Sequence, residues 1–179
     1  MDDVKELIER LADEIGFDCR GACSAKKLET RPEVRDMCAA NLCRHYDSSW
    51  SCPPACGTVE EYEGKMRAFN DCVLVQTVGQ MEDPYDFETV EESAQTHDER
   101  FRMLVEQLRE KGTAFLPLGA GPCMLCAECT YPDAPCRLPD KMVVSMEASG
   151  LVVNDVCTMA GIPYNHGTNT ISFTGCILY

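Results

Sequence analysis

Residues 72–78 read Cys72-Val73-Leu74-Val75-Gln76-Thr77-Val78. A run this short, apolar and β-branched predicts a strand buried on both faces. Downstream, residues 87–111 carry one apolar stripe, Phe87, Val90, Ala94, Phe101, Leu104 and Leu108, closed by Gly112, which predicts a long helix. Ala114 to Leu118 is a second short apolar strand. Strand, helix, strand is the βαβ pattern, so the fold class is α/β, a small mostly parallel sheet flanked by helices. In such sheets ligands gather beyond the carboxyl ends of strands, and the Gly119–Cys136 loop leaves from such an end.

The flanking segments fit that plan. Val4, Leu7, Ile8, Leu11, Ala12 and Ile15 predict an amphipathic first helix, favoured at its start by Asp2 and Asp3 and stopped by Gly16. Residues 17–25 read weakly as a strand, and a helix is expected from Pro32 to about Ala40. Thr58 and Glu61 form a capping-box pair that opens a helix with Val59, Tyr62, Met66 and Phe69 on one face. Ser145 is expected to cap a helix burying Val152, Val156 and Met159, and Ile171 to Leu178 closes the chain as a strand. No repeat or linker divides the sequence. We expect a single domain over residues 1–179, with cysteine-rich metal-binding loops at 38–57 and 119–141.

Composition narrows the function. The chain has 179 residues, a net charge of -14 and 13 cysteines. Such acidity argues against a general binder of nucleic acid or anionic membrane, which needs a basic face. No apolar run reaches the roughly 18 residues of a membrane span. The start, Met-Asp-Asp-Val-Lys-Glu, lacks the basic and apolar regions of a signal peptide, so a cytoplasmic location is expected. There thiols stay reduced, and clustered cysteines point to metal rather than disulfides.

Cys123-x2-Cys126-x2-Cys129-x6-Cys136 is the strongest motif. Two-residue gaps turn successive thiolates inward around one compact centre, as in ferredoxin-type [4Fe–4S] sites. Zinc is the competitor, but its ribbons usually bring two C-x2-C knuckles separated by a longer spacer. The nearby glycines let backbone N–H groups approach sulfur. Cys38-x4-Cys43-x8-Cys52-x3-Cys56 is less specific. It offers either a second four-thiol site or three ligands and an open iron, against the plain reading of loop thiols with no ligand role. Cys72, Cys157 and Cys176 read as core residues, and Cys19 and Cys23 as weak ligand candidates. Trp50 lies between cysteine pairs, where it would shield the metal from water. His45 and His166 read as loop histidines, and His97 as a satisfied imidazole on the helix stripe.

Together, Cys38-x4-Cys43, Trp50-Ser51-Cys52-Pro53-Pro54, Gly121-Pro122-Cys123-x2-Cys126-x2-Cys129, Pro135-Cys136-Arg137-x-Pro139 and Ser145-Met146-Glu147-Ala148-x-Gly150 resemble the prokaryotic predicted metal-binding protein family, domain of unknown function 2284. The likeness runs from about Val34 to the C-terminus. It implies a cysteine-bound metal centre, iron–sulfur in type, in an anaerobic metabolism. Cys123, Cys126, Cys129 and Cys136 match fully. The first motif of that pattern has three cysteines, so Cys56 departs from it.

The leading expectation is therefore an iron–sulfur protein that exchanges electrons with a redox partner, its acidic surface steering a basic patch there. The alternatives are an enzyme with an open-iron cluster at Cys38, Cys43 and Cys52 acting on a small molecule, and a zinc-stabilised binding module.

Overall fold

A computed structural model describes residues 4–179; Asp2 and Asp3, read as favouring the first helix, lie outside the described residues. The order is α1 (Val4–Ile15), β1 (Cys19–Ser24), a 3-10 turn (Ala25–Lys27), α2 (Pro32–Ala39), α3 (Val59–Met66), β2 (Asp71–Gln80), α4 (Phe87–Glu110), β3 (Leu116–Gly119), β4 (Val144–Ser145), α5 (Val153–Ala160) and β5 (Thr170–Leu178).

The strands form one sheet in the order β1-β2-β5-β3-β4. It is mixed and mostly antiparallel, which corrects the mostly parallel sheet expected from the sequence. β2 pairs antiparallel with both β1 and β5, and β3 pairs antiparallel with β5. Among the described residues, β3 and β4 are the one pair of neighbouring strands that runs parallel. The physical reason lies in β5. β2 and β3 do point the same way, as a strand–helix–strand unit requires, but the C-terminal strand enters between them and pairs with both. The other departure matters more for function. Parallel neighbours need a crossover, usually a helix. Between β3 and β4 the crossover is instead the irregular segment 120–143, which carries the second group of cysteines.

Both sheet faces are covered, so β2 is buried through nearly its whole length. On one face Val73, Val75 and Ile177 meet Ile8, Leu11 and Ala12 of α1 and Phe101, Leu104, Val105 and Leu108 of α4. On the other, Cys72, Leu74, Cys176 and Leu178 meet Tyr62 and Met66 of α3 and Val156 and Cys157 of α5. Gly175 has a definite reason: a Cβ there would stand 2.5 Å from Phe101 Cε2.

Local chemistry explains the element ends. The Thr58–Glu61 capping box forms as read, with the Glu61 N–H donating to Thr58 Oγ1 at 3.2 Å and the Thr58 N–H to Glu61 Oε2 at 2.8 Å. Asp86 caps α4 by accepting the Thr89 N–H at 3.0 Å. The buried stripe of α4 is Ser93, His97, Phe101, Leu104, Val105 and Leu108, while Phe87 at its first turn is 69% exposed. Ser145 sits in β4 and caps only a turn, its Oγ accepting the Ala148 N–H at 3.1 Å; α5 starts at Val153 without a side-chain cap.

Candidate metal centre

The two cysteine groups arise from different elements. Cys38 is on the last turn of α2; Cys43, Cys52 and Cys56 follow on the loop to α3. Three non-glycine residues of that loop, Asn41 (φ 53°), Arg44 (φ 62°) and Asp47 (φ 54°), are left-handed. Such residues cost energy unless their surroundings fix them, and they gather at functional loops. Cys123, Cys126, Cys129 and Cys136 lie on the crossover from β3 to β4.

Direct bonds tie the two loops together. Ser51 Oγ, beside Cys52, accepts the Cys123 N–H at 3.0 Å. Trp50 donates its indole N–H to the Ala134 carbonyl at 3.0 Å and meets Tyr131 edge-on at 5.0 Å. The Tyr131 hydroxyl donates to Asp47, and that bond holds the phenol above its usual pKa.

Cys123, Cys126, Cys129 and Cys136 all line one cavity of about 270 Å³, with Trp50 and Arg137 also on its wall. Burial pushes the Cys123 thiol up, while the Leu125 N–H bonded to its sulfur works the other way. Cys38, Cys43 and Cys52 line a second cavity of about 440 Å³ with Val34, Met37, Leu42, Tyr46, Pro53 and Glu147. His45 borders both cavities. Cys56 does not line the second cavity. It is 7% exposed, belongs to the core around Tyr62, and borders a cleft shared with Trp50 and Cys136. Among the described residues, no three His, Cys, Asp or Glu side chains are placed so as to hold a metal ion as they stand.

Arg35 and Glu147 set the electrostatics of the second cavity. Arg35 lies one turn before Cys38 on α2 and donates to the carbonyls of Ala148 (2.5 Å) and Gly57 (2.8 Å). Burial raises Cys38 and Cys56, and the Arg35 guanidinium opposes it at both. Glu147 lines this cavity as an exposed residue, and the protein atoms around its carboxyl push its pKa up. Neither residue was singled out as functional from the sequence, although Glu147 stood in a quoted motif and Arg35 at helical spacing from a candidate ligand.

The other histidines and cysteines have structural surroundings. His166 Nε2 meets Gln76 Oε1 at 2.7 Å, and the buried Gln76 amide donates to Thr174 Oγ1 at 3.0 Å, pinning the loop before β5. His97 is 2% exposed, with Nδ1 3.1 Å from Thr77 Oγ1 and Nε2 unpartnered, so the imidazole is only half satisfied. Cys72, Cys157 and Cys176 are core residues, as read from the sequence.

Among the described residues no helix is long and apolar enough to cross a membrane. No curated protein matches the chain. It is similar to crystal structures of epoxyqueuosine reductase. One is selenomethionine-labelled (TM-score 0.46, 13% identity, 97% of this chain and 45% of that one). One holds an epoxyqueuosine-modified tRNA-Tyr stem loop (TM-score 0.43, 13% identity, 97% and 45%). A third, from Bacillus subtilis, has its catalytic loop swung out of the active site (TM-score 0.43, 12% identity, 97% and 45%). The chain thus spans less than half the length of the solved structures it matches. The profile of one family matches residues 22–179, a stretch that takes in every thiol of both groups, and the chain belongs to that family of predicted metal-binding proteins, domain of unknown function 2284.

Proposed function

We propose that Cys123, Cys126, Cys129 and Cys136 hold one [4Fe–4S] cluster and that the protein exchanges single electrons with a partner. The observation that carries this reading is the gathering of all four thiols around one cavity. Their C-x2-C-x2-C spacing is that of ferredoxin-type sites, whose chemistry when loaded is reversible one-electron transfer. The chain's own contribution is electrostatic. The Leu125 N–H directed at Cys123 favours charge on sulfur, and the Arg137 side chain on the cavity wall offsets the negative charge of four thiolates. Zinc ribbons usually bring two C-x2-C knuckles separated by a longer spacer, a pattern this run does not follow. Anaerobically purified protein should be brown, with a spin spectrum that appears on reduction. Colourless protein containing only zinc would refute the reading.

The second cavity favours a second reading, an enzyme. Cys38, Cys43 and Cys52 supply three ligands, with Cys56 outside their cavity, and an iron lacking a protein ligand acts as a Lewis acid. The cavity is walled mostly by apolar side chains, and Glu147 is its only carboxyl group. Glu147 would face a small molecule bound there. Two distinct reduced spin signals, one of them lost in Cys43→Ala, would support the second site; a single signal unchanged in that variant would exclude it.

A further inference from the structure

β1 is an edge strand, and its antiparallel register with β2 sets Cys23 directly opposite Cys72. Opposed residues in such a ladder have Cα atoms about 4.5 or 5.5 Å apart, depending on the kind of pair. Both spacings lie within the roughly 4.4–6.8 Å that a disulfide spans. The two sulfur atoms face each other at 3.3 Å. Cys72 is fully buried, whereas Cys23 is partly exposed at the sheet edge. An accessible thiol in contact with a buried one is the arrangement of an attacking and a resolving cysteine.

We propose that Cys23 and Cys72 are a dithiol–disulfide pair, a two-electron redox site separate from both metal-binding thiol groups, with a small-molecule disulfide as its oxidant. Cys23 attacks first. The contact with Cys72 lowers the Cys23 pKa, and Lys27 acts in the same direction, while burial and Asp71 oppose. The bond to Cys23 and its own burial push Cys72 up, keeping it a thiol until it is needed. In the first step the Cys23 thiolate bonds to one sulfur of the oxidant and expels the other as a thiolate, which takes up the proton Cys23 had released. In the second, Cys72 Sγ bonds to Cys23 Sγ and displaces the remaining thiolate, which leaves with the Cys72 proton. Two protein thiols are oxidised, and one small disulfide is reduced to two thiols. The new bond closes a loop that contains α2, α3 and the whole of the first cysteine group, so oxidation would tether that loop independently of metal.

The test uses anaerobic, metal-loaded protein equilibrated across mixtures of oxidised and reduced glutathione, followed by alkylation, trypsin and mass spectrometry. Cleavage at Arg20, Lys26, Arg67 and Arg100 isolates Cys23 on residues 21–26 and Cys72 on residues 68–100, each apart from every other cysteine. The expected product is those two peptides joined, returning to two alkylated peptides under reduced glutathione. Cys72→Ser should leave residues 21–26 with a lasting glutathione adduct, and Cys23→Ser should leave Cys72 unmodified. The wild-type cross-link needs no variant to fold. Recovery of both peptides fully alkylated at the oxidised end, or their joining to other cysteines instead, would overturn the proposal.

Discussion

Ser51 is 1% exposed and joins the two cysteine loops through one bond, its hydroxyl accepting the Cys123 N–H. Ser51→Ala would leave the part-buried Cys123 N–H without its partner, a loss of roughly 1–3 kcal/mol. Because each 1.36 kcal/mol is tenfold in rate, chelator should strip metal from the variant roughly five- to 150-fold faster, read from the decay of visible absorbance. His97 makes a different prediction. Burial, then Arg100, lower its pKa from 6.5 to about 4, so the folded ring stays neutral where the unfolded one takes a proton. The unfolded state binds more protons across that window, and stability falls as pH drops from 6.5 toward 4, by roughly 3 kcal/mol in full. Urea unfolding of wild type and His97→Gln should show that extra slope only in wild type.

At the scale of elements, β5 governs how the sheet closes. Gly175→Val would drive a side chain into Phe101 of α4, with a cost of at least ~1–3 kcal/mol of overpacking, measurable as a lower midpoint in thermal unfolding. The cysteine loops behave differently, since they have little apolar contact to offset the ~1–2 kcal/mol of backbone entropy per ordered residue. Removing metal should leave the helical circular dichroism signal largely intact while residues 38–57 and 119–141 become the first sites of limited proteolysis; early cuts elsewhere would contradict this. The same contrast shows what the sequence discloses. β2 is legible because the short apolar run at residues 72–75 has few other fates, and the Thr58 cap because its partner is three residues away. The place of β5 between β2 and β3 is not legible, because nothing in residues 170–178 names a neighbour. β4 is too short to show periodicity, and Ser145 looks the same whether it caps a turn or a helix. At the centre, cysteine spacing points to the ligand candidates. Arg35, Ser51 and Glu147 are ordinary polar residues whose importance comes only from what the fold brings beside them.

For the whole molecule, a net charge of -14 surrounds the proposed redox centre. Electron transfer to a small cationic oxidant should be fast at low salt and slow as ionic strength rises, because the screening length falls from about 30 Å at 0.01 M to about 8 Å at 0.15 M. An anionic oxidant should show the opposite trend in stopped-flow traces. The central claim, that Cys123, Cys126, Cys129 and Cys136 hold an iron–sulfur cluster, is tested most directly by iron and acid-labile sulfide analysis of anaerobically purified protein beside its Cys126→Ala and Cys176→Ala variants. The account predicts iron and sulfide in equal amounts, with about four of each lost from Cys126→Ala and none from Cys176→Ala. Full iron and sulfide in Cys126→Ala, with an unchanged spectrum, would contradict it.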